Sequence, residues 1–242
     1  MGFKIDKPIR LIELFAGIGA QAKALEMLGV KFEHHRICEF DKYAVASYNA
    51  IHGTHFQPTG IRDLRWRDLG VTDTDKYCYI LTYSFPCQDL SVAGKQRGMI
   101  KGSGTRSGLL WEVERLLTEC VNGGGCLPTV LIMENVKQVH SEKNIGVFKA
   151  WINRLEELGY TNYWQDLNAT GFGIPQNRVR CFMVSILGGG GYKFPKPKEL
   201  TVKLKDLLEP EVDEKYYLSE KQIRSIMQSA FTQRRNAIVG GG

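Results

Sequence analysis

The chain has 242 residues, 43% hydrophobic and 10% aromatic, enough for one sizeable core or a core with a small appendage. No apolar run approaches the roughly 20 residues of a membrane span, and the first ten residues lack the apolar stretch of a secretory signal, so a cytoplasmic protein is the default expectation. The net charge of +6 is interspersed rather than clustered, which is compatible with a nucleic-acid partner without demanding one.

In chain order, residues 10–15 form a short Leu- and Ile-rich strand that runs into the turn Ala16-Gly17-Ile18-Gly19. A helix is predicted over 21–28, with Gly29 just past its end. A strand at 32–38 and a helix from 42 to about 50 complete the opening of a βαβ unit. Further strands are predicted at 79–83, 129–133, 161–167 and 179–187. Helices at 107–120 and 147–158 carry apolar residues at helical spacing, among them Leu109, Val113, Leu116, Phe148, Trp151 and Leu155. The alternation predicts an α/β fold with a doubly wound, mostly parallel sheet and helices on both faces, and such sheets bind ligands at strand carboxyl ends. The glycine-rich stretches 122–125 and 188–191 read as surface connections. Beyond Phe194-Pro195-Lys196-Pro197 the chain is polar, with too few apolar residues for its own core and a short helix predicted over 219–227.

Chemistry-bearing residues fall at the predicted strand ends. The turn Phe15-Ala16-Gly17-Ile18-Gly19 brings backbone close to any ligand at a helix amino terminus, yet lacks the GxGxxG spacing, so a plain tight turn and a cofactor site fit equally well. Glu39 ends the second strand, where a carboxylate can accept from ribose hydroxyls, and Phe40 beside it can stack on an adenine ring. Cys87 sits in Ser84-Phe85-Pro86-Cys87-Gln88 directly after the third strand, and Glu134 follows the fourth in Met133-Glu134-Asn135-Val136. Most cysteines are inert small hydrophobes. A thiol and a carboxyl opening onto one cleft are a constellation, because an acid after four apolar residues is costly to bury without a partner or a task. Arg178 and Arg180 share a face if extended, and a solvated pair is the plainer reading. Six cysteines include no CxxC pair, so free thiols are expected and no metal ligands are assigned.

Taken in order, Phe15-Ala16-Gly17-Ile18-Gly19, Pro86-Cys87-Gln88, Glu134-Asn135-Val136 and Gln176-x-Arg178-x-Arg180 resemble the DNA (cytosine-5)-methyltransferases, from about Arg10 to Pro197. The resemblance implies a seven-stranded Rossmann-like methyltransferase sheet, S-adenosylmethionine as methyl donor and a flipped-out cytosine in double-stranded DNA as acceptor. It also implies that Phe15, Gly17 and Gly19 line the cofactor, that Glu39 binds its ribose and Phe40 its adenine, and that Ile61, Pro86 and Leu109 add contacts. Cys87 becomes the nucleophile, Glu134 its acid partner, and Arg178 and Arg180 contacts to the substrate nucleotide. Residues 1–195 then read as the catalytic domain and 196–242 as a partial C-terminal segment. Two departures stand out. Thr59-Gly60-Ile61 replaces the family's Gly-Asp-Ile, removing one adenine hydrogen bond worth about 0.5–1.5 kcal/mol net. The recognition domain and the returning Gly-Asn segment are not found, so the reading expects either a second polypeptide that supplies them or a truncated chain inactive alone. A non-catalytic binding module and an RNA methylase are the competing readings.

Overall fold

The computed structural model describes residues 2–88, 90, 98–102 and 104–228 of the chain. They divide into two compact units, one within 1–200 and one within 201–242.

The first unit is built on a sheet of strands β1 (Ile9–Leu14), β2 (Phe32–Cys38), β3 (Cys78–Tyr83), β4 (Val130–Val136), β5 (Tyr160–Asn168) and β6 (Val179–Leu187). Their order is β2-β1-β3-β4-β6-β5. β1 pairs in parallel with β2 and β3, and β3 with β4, whereas β6 runs antiparallel between β4 and β5. The expected seven strands are thus six among the described residues, and the sheet is mostly parallel as the alternation predicts.

Both faces of the sheet are covered, which is why central β3 (Cys-Tyr-Ile-Leu-Thr-Tyr) is buried throughout, whereas edge strand β2 carries Glu33, His34, His35 and Arg36. Side chains alternate across a strand. In β1, Ile12 and Leu14 join one core and Leu11 the other; in β3, Tyr79, Leu81 and Tyr83 oppose Cys78 and Ile80. Helices α3 (Leu110–Asn122) and α4 (Ile145–Glu157) cover the first face, the latter through fully buried Phe148, Trp151 and Leu155. Helices α1 (Ala20–Met27) and α2 (Lys42–His52) cover the second through Ala22, Val45 and Tyr48. The predicted helix over 107–120 is two elements: a 3-10 turn at Ser107–Leu109 leads into α3. The strand predicted at 129–133 continues to Val136, because antiparallel β6 supplies a partner as far as Arg180. Glu134 and Asn135 therefore lie within β4 rather than after it.

The second unit contains 3-10 turns at Leu204–Leu207 and Glu214–Tyr216 and one helix, α5 (Glu220–Met227). Ser219 caps α5 by accepting from Gln222 N, and the Gln222 side chain returns the bond to Ser219 N. No described residue of this unit is buried, in line with the polar composition of the segment. No helix among the described residues is long and apolar enough to cross a membrane.

Candidate functional site

At the carboxyl ends of β1, β2, β3 and β4 lies an open cleft of about 310 Å³, near the lower end of the roughly 300–1,000 Å³ usual for small-molecule sites. Phe15, Glu39, Phe40, Ile61, Pro86, Cys87, Leu109, Glu134, Arg178 and Arg180 all line it. Ten of the twelve residues singled out from sequence therefore share one cavity, and the two glycines of the turn stand apart.

The turn after β1 begins with Phe15 in a left-handed conformation (φ 58°), which L side chains rarely adopt and which swings the chain off the sheet edge. Its amide neighbours are tied down: Ala16 N donates to Cys38 O at 3.2 Å, and Gly17 N to Glu39 Oε2 at 3.0 Å. The other Glu39 oxygen accepts from Asp41 N at 3.0 Å. Glu39 thus fastens the glycine turn to the β2–α2 junction with the same carboxylate that faces the cleft. Gly19 faces away from the cleft. A Cβ there would stand 2.7 Å from the Tyr48 ring and collide with His52 Nε2, so its glycine serves close packing of the turn on α2.

Phe40 is 77% exposed, a large apolar side chain on the cleft wall with nothing packed over it. Thr59, where the family motif has glycine, lines the same wall. The next residue, Gly60, leaves room for a carboxylate: a Cβ there would lie 2.8 Å from Asp63 Oδ2.

Cys87 is half-buried at the cleft floor. The segment that carries it is pinned from behind. Buried Asn135 donates through Nδ2 to Phe85 O at 2.9 Å, while its Oδ1 accepts from Val136 N at 2.9 Å. Buried Ser107 donates through Oγ to Pro86 O at 2.8 Å, Leu90 N donates to Cys87 O at 2.9 Å, and Gln21 Nε2 donates to Ser84 Oγ at 3.1 Å. The chemistry-free neighbours of Cys87 are therefore held on both sides, leaving its thiol as the group presented to the cavity. Asn135 was visible in the sequence beside Glu134, whereas Ser107 and Gln21 carry no one-dimensional signal of this role.

Glu134 and Arg180 meet across the β4–β6 pair, with Arg180 Nε 3.1 Å from Glu134 Oε1 and both side chains about a quarter or less exposed. Arg180 also donates to Val179 O at 2.8 Å. Arg178 precedes β6, lines the cleft and is itself exposed; its backbone is fixed by Asn168, whose Oδ1 accepts from Arg178 N at 3.1 Å. So Arg180 is not the solvated residue that its sequence context alone favoured. Nearby cysteines are of a different kind. Burial pushes the Cys38 and Cys181 thiols up to about 12, assisted by Glu39 and Asp63 for Cys38 and by Asp166 and Glu134 for Cys181.

The cleft offers two chemistries side by side: an aromatic face, a carboxylate and apolar walls on one part, and a thiol, a carboxyl and guanidinium groups on the other. Residues 9–238 match the family described as C-5 cytosine-specific DNA methylase. The chain is 34% identical to the Type II methyltransferase M2.ScrFI of Lactococcus lactis subsp. cremoris, covering 89% of this chain and 71% of that protein. It is 35% identical to the orphan methyltransferase M.SssI of Spiroplasma monobiae, covering 88% and 68%. Among solved structures, the S. pombe Dnmt2 methyltransferase superposes with a TM-score of 0.68 at 22% identity, and Entamoeba histolytica methyltransferase EhMeth with 0.70 at 18%. Each alignment covers 90% of this chain and 65% of the other, and at these identities the likeness speaks for the fold.

Proposed function

This chain belongs to the C-5 cytosine-specific DNA methylase family, and from that premise we propose that it transfers a methyl group from S-adenosylmethionine to C5 of a cytosine turned out of double-stranded DNA. The observation that carries this reading is the single cleft in which Cys87, Glu134 and Arg180 stand beside Glu39 and Phe40.

The cleft suits an adenosine-bearing donor. Exposed Phe40 offers a ring face for the adenine, Glu39 an acceptor for the ribose, and Ile61, Pro86 and Leu109 apolar contact. Space at Gly17 is open, since nothing lies within 4 Å of where its Cβ would be, so backbone there can approach a ligand. When bound, the donor supplies an electrophilic methyl carbon on a sulfonium.

The protein's part is to make cytosine C5 nucleophilic, which the aromatic ring is not. The Cys87 thiolate adds to C6, forming a C–S bond and moving electron density onto C5 and the N3 side of the ring. Glu134 holds or shares a proton at N3 and so stabilises the charge that develops there. Arg180, already within 3.1 Å of Glu134, orients that carboxyl and donates toward the base O2. Arg178, exposed at the rim, suits the phosphate or sugar of the turned-out nucleotide. C5 takes the methyl carbon as its bond to the donor sulfur breaks, the donor leaving as a neutral thioether. C5 then gives its proton to solvent, the C6–S bond breaks with its electron pair going to sulfur, and Cys87 returns as thiolate with aromaticity restored. The segment that holds Cys87 is kept in place by Asn135 and Ser107, so attack costs little reorganisation.

The chain spans 71% and 68% of the two curated relatives named above and 65% of the two solved structures. Activity of these residues by themselves is therefore part of the proposal. The test is transfer of labelled methyl from S-adenosylmethionine to mixed-sequence DNA, with Cys87→Ser and an RNA substrate run alongside. Transfer to DNA that the serine variant loses, with cofactor still bound, is the expected result. Turnover retained by Cys87→Ser would sink the nucleophile assignment. Cofactor binding without transfer would favour a binding subunit completed by a second polypeptide.

A further inference from the structure

The glycine turn is backed, on the side away from the cleft, by a group of side chains that the reaction does not use. One oxygen of Glu26 (α1), one ring nitrogen of His34 (β2) and one of His52 (α2) lie within 4.8 Å of one another. The His34 and His52 ring centroids are 5.1 Å apart. We propose that these three residues form a binding site for a divalent transition metal ion of the zinc class, fastening α1, β2 and α2 together behind the turn.

The donor set itself fits. Two imidazoles and one carboxylate are borderline ligands that suit Zn²⁺, and three protein ligands with a solvent-filled fourth position is a common zinc arrangement. The Glu26 side chain is 32% exposed while that of His52 is fully covered, so the group has one open side for a water ligand and one closed side. An ion about 2.0–2.2 Å from each ligand sets them roughly 3.4 Å apart. The present Glu26 Oε1 to His52 Nδ1 separation of 2.7 Å would open by less than about 1 Å.

The partners of the remaining atoms are the stronger argument. Ligating histidines donate their other ring N–H to a carbonyl, a carboxylate or a group bonded to one, and ligating carboxylates are themselves hydrogen-bonded. Each residue here has that arrangement. His52 Nε2 lies 3.3 Å from Ile18 O. His34 Nδ1 lies 2.8 Å from Tyr48 Oη, which in turn donates to buried Glu13 Oε2 at 2.6 Å, so the tyrosine oxygen accepts from His34 and leaves Nε2 with its lone pair. Glu26 Oε2 accepts from Lys23 Nζ at 2.9 Å. His52, moreover, faces an acceptor on each ring nitrogen, Ile18 O and the Glu26 carboxylate. An imidazolium proton can bridge Nδ1 and Oε1, and a metal ion can take that proton's place while leaving every outer bond as it is. The sequence shows no trace of this because the ligands come from three elements rather than from one spaced motif.

The inference stands apart from the proposed catalysis. Its test is titration of Co²⁺ into the tag-free, metal-stripped full chain, read in the visible spectrum and confirmed by zinc displacement and by metal analysis of dialysed protein. About one equivalent is expected, with the spectrum of a four-coordinate nitrogen and oxygen site and no sulfur-to-cobalt band. Glu26→Gln, at a partly exposed position that keeps its volume, should weaken binding at least about tenfold, and His34→Gln should abolish it. Circular dichroism identifies a variant that fails to fold, and the other variant then decides. No cobalt uptake, a thiolate-type spectrum, or uptake unchanged in the folded variants would each overturn the proposal.

Discussion

The turn Phe15–Gly19 touches two polar clusters that are assembled on opposite terms. In the cleft, Cys87 and Glu134 keep part of their surface open, Phe40 and Arg178 are exposed, and the shortest link between side chains of the proposed chemistry is the 3.1 Å contact of Glu134 with Arg180. Behind the turn, Glu13, Tyr48, His34, His52 and Glu26 are in near-continuous contact, with Glu13 and Tyr48 buried and links of 2.6, 2.8 and 2.7 Å. Burial raises the Glu13 carboxyl above its ordinary range, against the pull of bonds from Tyr48 and Ala22. The contrast separates two uses of polar groups. A residue that reacts keeps its working atom accessible and is positioned by others, here Asn135 and Ser107. A residue that fastens elements together spends its bonding capacity on its neighbours.

The largest effect expected from breaking this contrast is chemical. Glu134→Gln should lower methyl transfer by about 10²- to 10⁴-fold with little change in folding, measured by single-turnover assay and circular dichroism. A loss below about tenfold would move Glu134 out of the chemistry and into the structural class. Tyr48→Phe should act the other way. It strands Glu13 and His34 without the shared hydroxyl, so unfolding by urea should show a loss of about 1–3 kcal/mol.

The thiols sharpen the comparison through pH. Burial lifts Cys38 and Cys181 to about 12 and Cys120 to about 11, from an ordinary 9.0. In this window the folded chain keeps protons that the unfolded chain releases. Their contribution is therefore fully present below pH 9 and is lost as pH rises through the folded values, with a slope of up to ~1.4 kcal/mol per pH unit for each thiol. Urea midpoints that stay flat between about pH 9 and 11 would contradict the burial of all three. Under native conditions, alkylation should reach half-buried Cys87 and exposed Cys126 well before those three. The smallest effect concerns positioning: Ser107→Ala removes the bond to Pro86 O and should cost about 0.5–1.5 kcal/mol, with cofactor affinity retained and turnover reduced.

By itself the sequence determined the alternation of strands and helices and most of the cleft. Both are legible for a shared reason. Apolar period identifies each element, and in a parallel sheet the carboxyl ends lie along one edge, so Glu39 after β2, Cys87 after β3 and Glu134 near the end of β4 converge wherever they stand in the chain. Tertiary structure alone decided what depends on pairing between distant segments. The antiparallel insertion of β6 lengthened β4 past Met133 and set Val136 opposite Arg180, which turned an expected solvated arginine into the partner of Glu134. Gly19 serving the contact with His52 and the Ser107 anchor behind Cys87 belong to the same class. So does the Glu26–His34–His52 group, since three side chains on three elements meet only after α1 and α2 have packed on the same face of the sheet beside β2. Periodicity records which face a residue turns to the core, and it holds no record of which other residue waits there.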